Sequence, residues 1–340
     1  MSKLAHSNEE TMTIIEAQPI QKENNMTDEA PPPFVAKQVA AAAKPIAVKP
    51  KSKLGAVDPK AAEPSRPKIT IFGKPGVGKT WGALDFPSVY YIDTEAGADL
   101  AHYTDKLKSS GGVYFGREQG SQDFATVIEQ VKALATEQHP YKTLVIDSLS
   151  KIYNLEVNKE AERLGEKDGF GASKKPAVRM SSTLIRWLDK LDMNVILICH
   201  EKPEWSKGEQ IGFVPDAHEK LEYELHLCLR ITKEGESRKA YIKKTRLIQF
   251  PDGGKFDWSY VEFAKKSGKE VMEAQAKQII LATPEQVKEL NDLLEIIKMP
   301  EDTIEKWLKK ANAEKFEEME SSVINACINL MKTKKEGIAK

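Results

Sequence analysis

From Ile69 onward the sequence predicts an α/β fold: a mostly parallel sheet covered on both faces, with an antiparallel extension. Two textures carry that prediction. Up to Cys199, short β-rich runs alternate with helical stretches, and such alternation joins parallel strands through crossover helices. Beyond Leu221 the rhythm switches to hairpins. The expected strands are Ile69–Phe72, Val89–Ile92, Val113–Phe115, Leu144–Ile146 and Val195–Cys199. Between them, Thr80–Phe86, Gln122–Glu137 and Pro176–Leu191 read as helices. The runs "YELHLCLRI" and "KAYIKKTRL" flank a Lys233-Glu234-Gly235-Glu236 turn and extend the sheet in antiparallel fashion.

Both ends differ in texture. Residues 1–66 read as a disordered Pro/Ala/Lys-rich tail, with eight prolines between Pro31 and Pro67 and few large apolar residues to offset ordering entropy. Its charge is segregated: six acids and two bases in Met1–Ala30, two acids and eight bases in Pro31–Lys68. At the other end, residues 282–334 predict a three-helix interaction module after the 67–270 core. Thr283-Pro284-Glu285-Gln286 is a capping-box signature with proline at the first helical position. Val287, Leu290, Leu293, Leu294 and Ile297 then repeat at helical spacing. A second helix starts at Pro300 and carries Trp307. The third is expected to contain Phe316, Met319, Val323, Cys327 and Met331.

Composition narrows the function. Lys+Arg and Asp+Glu both number 51 in 340 residues, so any contact with nucleic acid falls to local patches. The three cysteines, Cys199, Cys228 and Cys327, form no C-x-x-C pair, which argues against a zinc site or disulfide framework and suits a reducing cytosol. No apolar run approaches the ~18 residues of a membrane span.

The chemistry concentrates at Gly73-Lys74-Pro75-Gly76-Val77-Gly78-Lys79-Thr80, the pattern G-x-x-x-x-G-K-[ST]. Glycines there let successive backbone N–H groups turn onto phosphates, the lysine reaches the β- and γ-phosphates, and the hydroxyl ligates magnesium. An expected strand precedes this loop and an expected helix follows it, the context the motif requires. "TLVID" supplies a buried strand ending in Asp147, the second magnesium position. Asp147 is followed by Ser148 and not by a glutamate, so a hydrolytic base must come from elsewhere. Glu95, just past the strand in "YYIDTEAGADL", is placed to orient and deprotonate water, with Asp93 as the competing candidate.

At these stations the chain resembles RecA-type recombinases, through "YIDTEAGAD", "LVIDSLSKIY" and "VILICHEK". It is most similar to bacteriophage AAA-family ATPases with a RecA-like core, including the Sak-type single-strand annealing ATPases. The resemblance runs from about Lys68 to Asp257. It implies a RecA-like phosphate-loop ATPase fold, with ATP and Mg²⁺ held by Lys79, Thr80 and Asp147 and Glu95 as the catalytic glutamate. It also implies a γ-phosphate sensor at His200 and a K-x-R pair, Lys244 and Arg246, reaching a neighbouring subunit's γ-phosphate. The short helix after the phosphate loop departs from bacterial RecA, and nothing resembles that protein's N-terminal oligomerisation segment.

RecA-like proteins grip single strands with two mobile loops. The resemblance places the first at Arg163–Arg179, with Lys167, Lys174, Lys175 and Arg179 around Phe170. It places the second at Glu201–Pro215, with Trp205 available to stack on a base. The expected protein is therefore a homo-oligomeric ATPase acting on single-stranded DNA, in annealing or recombination, in the cytoplasm of a bacterial host. Its tail or terminal bundle would dock a single-strand-binding protein, and no membrane is involved. A helicase-like motor or loader, and a nucleotide-gated binding module with slow hydrolysis, share the same site residues and stay open.

Overall fold

The computed structural model describes residues 65–169, 171–300 and 302–338. The predicted tail, apart from its last two residues, and Phe170 lie outside them. Among the described residues nine strands form one sheet: β1 (Lys68–Gly73), β2 (Val89–Asp93), β3 (Val113–Phe115), β4 (Thr143–Asp147), β5 (Asn194–Ser206), β6 (Glu209–Pro215), β7 (Leu227–Glu234), β8 (Ser237–Thr245) and β9 (Lys255–Asp257). Their order is β3-β2-β4-β5-β1-β7-β8-β9, with β6 paired only to β5. Neighbours from β3 to β7 run parallel, and β8 and β9 continue antiparallel. This is the α/β architecture with an antiparallel extension that the sequence predicted.

Period-two alternation sends each strand's side chains to two separate cores. Leu144 and Ile146 face one core with Leu197, Cys199 and Phe72, whereas Val145 faces the other with Ile196, Ile198, Ile69 and Ile71. Because both faces are covered, these strands read as continuous apolar runs, as parallel strands do. The first core is closed by α3 (Phe124–Thr136), α4 (Leu149–Leu164) and α5 (Lys174–Lys190); the second by α1 (Lys79–Ala83), α2 (Ala101–Ser109), α7 (Tyr260–Ser267) and α8 (Lys269–Glu273). In α3 the buried residues Phe124, Val127, Ile128, Val131, Leu134 and Ala135 mark one helical stripe, and the Asp123 carboxylate caps the first turn by accepting from Thr126 N at 2.8 Å. Each large apolar side chain so buried contributes about 1.5–3 kcal/mol. The short α6 (Leu221–Glu224) leads into β7.

The chain already packs at Arg66, which donates to Asp192 and to the carbonyls of Met272, Ala274 and Gln275. At the other end, α9 (Pro284–Ile296), α10 (Asp302–Lys310) and α11 (Ser321–Ile338) share a third core around Leu290, Met319, Ile324 and Met331. The capping box is formed: Gln286 N donates to Thr283 Oγ1 and Thr283 N to Gln286 Oε1. The third helix starts later than expected, because Phe316 and Met319 belong to a preceding 3₁₀ turn and its end. Glu318 in that turn accepts from Arg186 Nη1 at 2.8 Å, and its carbonyl from Lys190 Nζ, which ties α5 to the terminal helices. Among the described residues, no helix is long and apolar enough to cross a membrane.

Two further corrections concern the expected DNA loops. Glu201–Pro215 is a β-hairpin: β5 runs on past the sheet and pairs with β6 through a Lys207-Gly208 turn with positive φ at both residues. A two-residue turn of that kind matches the strands' twist, so the charged stretch orders as a ribbon. The first segment is shorter than read. Lys174, Lys175 and Arg179 lie exposed on the opening turns of α5, and Lys167 ends a 3₁₀ turn after α4.

Candidate functional site

The carboxyl ends of β1, β2, β4 and β5 converge, the position at which open α/β sheets bind ligands. The phosphate-loop motif fills the turn between β1 and α1. Gly78 adopts φ 88°, and a Cβ on Gly73 would stand 2.3 Å from the Ile231 carbonyl oxygen, so neither position accepts a side chain. Lys74 and Pro75 are exposed, Gly76 turns at φ 75°, and Val77 packs back against the core. Lys79 Nζ donates to the carbonyls of Gly73 and Lys74 at 2.8 and 2.9 Å, which holds the ammonium inside the loop's curve. Burial keeps it below the ordinary lysine value, and the carboxylates of Asp147 and Glu95 oppose that shift.

Asp147, at the tip of β4, accepts from Thr80 Oγ1 at 2.5 Å and from the Tyr91 hydroxyl at 3.3 Å. Burial pushes its carboxyl up to about 6, against the pull of the Thr80 hydrogen bond. A hydroxyl and a carboxylate side by side are hard oxygen donors of the kind magnesium takes, with phosphate oxygens and water completing its shell. These two residues fit the ion.

Glu95 stands past the end of β2. Its Oε1 accepts from Ser148 Oγ at 2.5 Å and from His200 Nε2 at 2.6 Å. The hydrogen bond from His200 is the main reason that Glu95 lies below the ordinary glutamate value, and the same bond raises His200. His200 is held in turn: it lies beside Gly73 in the parallel register of β1 and β5, and its backbone N–H donates to Ser150 Oγ at 2.9 Å. The competing acid, Asp93, is tied to backbone, accepting from the N–H groups of Glu95, Gly97 and Ala98 at 3.1, 3.0 and 2.7 Å. It shapes the turn that carries Glu95 and is buried at 1% exposure with both oxygens engaged by backbone, so it drops out as the base.

Sequence reasoning missed three residues here. Ser148 caps α4 by accepting from Lys151 N at 3.2 Å while it donates to Glu95. Its position directly after the strand aspartate, ahead of a helical run, was the available signal. Thr94 joins the tips of β2 and β4: its hydroxyl accepts from Ser148 N at 2.8 Å and lies 3.1 Å from the Asp147 carbonyl. Glu201 follows His200 and accepts from Arg230 Nε at 3.1 Å across β1.

The remaining predicted residues lie elsewhere. Lys244 and Arg246 sit at the far end of β8, level with the start of β7, and donate to the carbonyls of Leu225 and Tyr223. Strand register puts them at the sheet end opposite this chain's own phosphate loop. Trp205 is 63% exposed near the tip of the β5–β6 hairpin.

Fold and loop together define a phosphate-loop nucleotide-binding protein of the α/β class. The AAA domain family matches residues 65–282, more than half of the chain, and the chain belongs to that family. Among solved structures, the chain is similar to the RadB recombinase, with 19% identity and a TM-score of 0.38, over 57% of this chain and 87% of that one. No curated protein matches it.

Proposed function

We propose that the chain is an ATPase with a RecA-like core that acts on single-stranded DNA as an oligomer, in annealing or recombination for a bacteriophage. One observation carries the hydrolytic part: a single carboxylate oxygen of Glu95, fixed by Ser148 and His200, shares the carboxyl end of the sheet with Lys79, Thr80 and Asp147. The phosphate loop holds the triphosphate, and Thr80 with Asp147 holds magnesium. When bound, that ion neutralises charge on the phosphate oxygens. Glu95 orients water and takes its proton, and His200 donates either to Glu95 or to a phosphate oxygen, so loss of that phosphate changes its partner. Lys244 and Arg246, remote from their own loop, complete a neighbour's site.

Support for the DNA reading comes from exposed Lys174, Lys175 and Arg179 on one end of α5 and from Trp205 on the hairpin, where a cationic surface and an aromatic suit a single strand. Single-strand-binding protein as partner, and the bacterial host cytoplasm as location, belong to the same proposal. The test is steady-state ATP turnover, with and without single-stranded DNA, in the unmodified chain, Lys79→Ala, Arg246→Ala and an equimolar mixture of the two variants. Turnover stimulated by DNA, lost in each variant and partly restored in the mixture, is expected. Turnover that Lys79→Ala leaves unchanged would refute the site. Turnover indifferent to DNA would refute the DNA reading.

A further inference from the structure

β7 and β8 form the wall of the phosphate loop on the side away from Asp147, Glu95 and His200. Arg238, the second residue of β8, projects from that wall onto the loop. A Cβ built on Gly78 would lie 2.8 Å from Arg238 Nε, 3.2 Å from its Cδ and 3.3 Å from its Cγ. The side chain therefore occupies the space that any larger residue at 78 would need. Its placement is anchored: Arg238 pairs with Lys233 at the hairpin end, its carbonyl accepts from Trp258 N at 2.8 Å, and its Nη1 donates to the Glu236 carbonyl at 2.9 Å. Nε, however, is buried and has no hydrogen-bond partner among the described residues.

A buried guanidinium N–H with nothing to bind is costly, and such a group in a folded protein calls for an acceptor. The chemistry of the site says which one. The γ-phosphate must face the flank where Thr80, Asp147 and Glu95 hold metal and water. The opposite flank, where Arg238 stands, then faces the part of the nucleotide common to ATP and ADP. We infer that Arg238 donates to an α- or β-phosphate oxygen of the chain's own nucleotide, as a cation supplied within one subunit. The inference rests on the proposed nucleotide site and adds to it a diphosphate contact that the loop motif does not contain. It separates Arg238 from Lys244, at the other end of the same strand, and from Arg246, just past that end.

The experiment titrates a fluorescent N-methylanthraniloyl-ADP, with Mg²⁺, into the full chain and its variants, and measures ATPγS by competition. Nucleotide-free thermal unfolding is recorded in parallel. Arg238→Met, which keeps the stem and removes the charge, is expected to weaken ADP and ATPγS binding by the same factor, about tenfold, the loss of one charge-assisted hydrogen bond. Arg238→Lys should recover part of that loss, and nucleotide-free melting should change little in either variant. Unchanged affinities in Arg238→Met, or a loss confined to ATPγS, would overturn the inference. So would equal losses in Met and Lys variants that track a lowered melting temperature, which would make the residue a structural prop. Lys79→Ala serves as the control for the site itself: an unmodified chain that binds no nucleotide would overturn both readings, whereas binding that needs Lys79 and ignores Arg238 would overturn only this one.

Discussion

The two flanks of the phosphate loop are built from opposite charges. On the side of β2, β4 and β5, the strand tips present Glu95, Asp147 and the polar groups that orient them, Ser148, Thr94 and His200. On the side of β7 and β8 they present guanidinium groups: Arg230, which reaches across β1 to Glu201, and Arg238, which lies on Gly78. The loop itself is neutral backbone except for Lys79, held inside its curve, and Lys74, exposed on its outside. Strand order thus does what the loop cannot. It sorts the acids that would manage water and metal to one side, and the guanidinium groups that would answer phosphate charge to the other. The comparison predicts that the two sides fail differently, one in rate and the other in affinity or fold.

The largest expected effect tests the acidic side. Glu95→Gln should lower the turnover number by about 10³-fold, in the range of a lost general base, while ADP and ATPγS affinities stay within about twofold. Phosphate release and nucleotide titration read the two quantities separately. An affinity loss as large as the rate loss would erase the distinction between the flanks.

Next comes the basic side. Arg230→Ala leaves the Glu201 carboxylate, 8% exposed, without its partner and removes the guanidinium that stacks 4.2 Å from the centre of the Phe213 ring. Breaking such a pair by removing one partner costs about 3 kcal/mol where the other stays buried. Denaturant unfolding should register a loss of that order, and melting of the β5–β6 hairpin should follow it. Arg230→Ala with unchanged stability would mean that Glu201 finds water.

Smaller again is Ser148→Ala. It removes one of two hydrogen bonds to Glu95 Oε1 and should slow turnover about tenfold, the value of one hydrogen bond to a charged group. Losing the α4 cap adds about 1 kcal/mol of destabilisation. Ser148→Thr keeps both bonds and should restore turnover; a slow Thr variant would show that bulk, not the hydroxyl, matters there.

What the sequence made legible follows the same division. Local signals were readable: glycine spacing, an apolar strand ending in Asp147, an acid just past Tyr91-Ile92-Asp93. These depend on residues within a few positions of one another. The basic flank was not readable, because Arg238 meets Gly78 only once β8 has folded back on β7, which lies beside β1, 160 residues along the chain. Ser148 looked like a missing glutamate and turned out to hold the glutamate that was present. The Glu201–Pro215 stretch misled for another reason. The resemblance placed a mobile loop there, but Lys207-Gly208 was a hairpin turn in plain view, and an edge hairpin tolerates Pro203.

The finest test of the acidic flank is its proton. His200 is raised and Glu95 lowered mainly by the hydrogen bond between them, so the pair is an imidazolium and a carboxylate over the band of pH between the lowered value of Glu95 and the raised value of His200. The contribution of that pair to stability disappears at both edges. It is lost as pH rises through the raised value of His200, when the imidazole gives up its proton. It is lost again as pH falls through the lowered value of Glu95, when the carboxylate gains one. With side chains 48% and 39% exposed, solvent screens the pair and its worth stays below about 1 kcal/mol. Stability curves will therefore hardly show it, and an NMR titration of the His200 ring will. In the unmodified chain its midpoint should lie above that of an ordinary histidine; in Glu95→Gln the carboxylate charge is gone, and the midpoint should fall toward the ordinary value, with burial and Lys79 lowering it and Asp216 left as the opposing charge. A midpoint that ignores Glu95→Gln would mean that the two side chains do not meet in solution, and the acidic flank would lose the contact that sets its base apart from the other acids at the sheet's end.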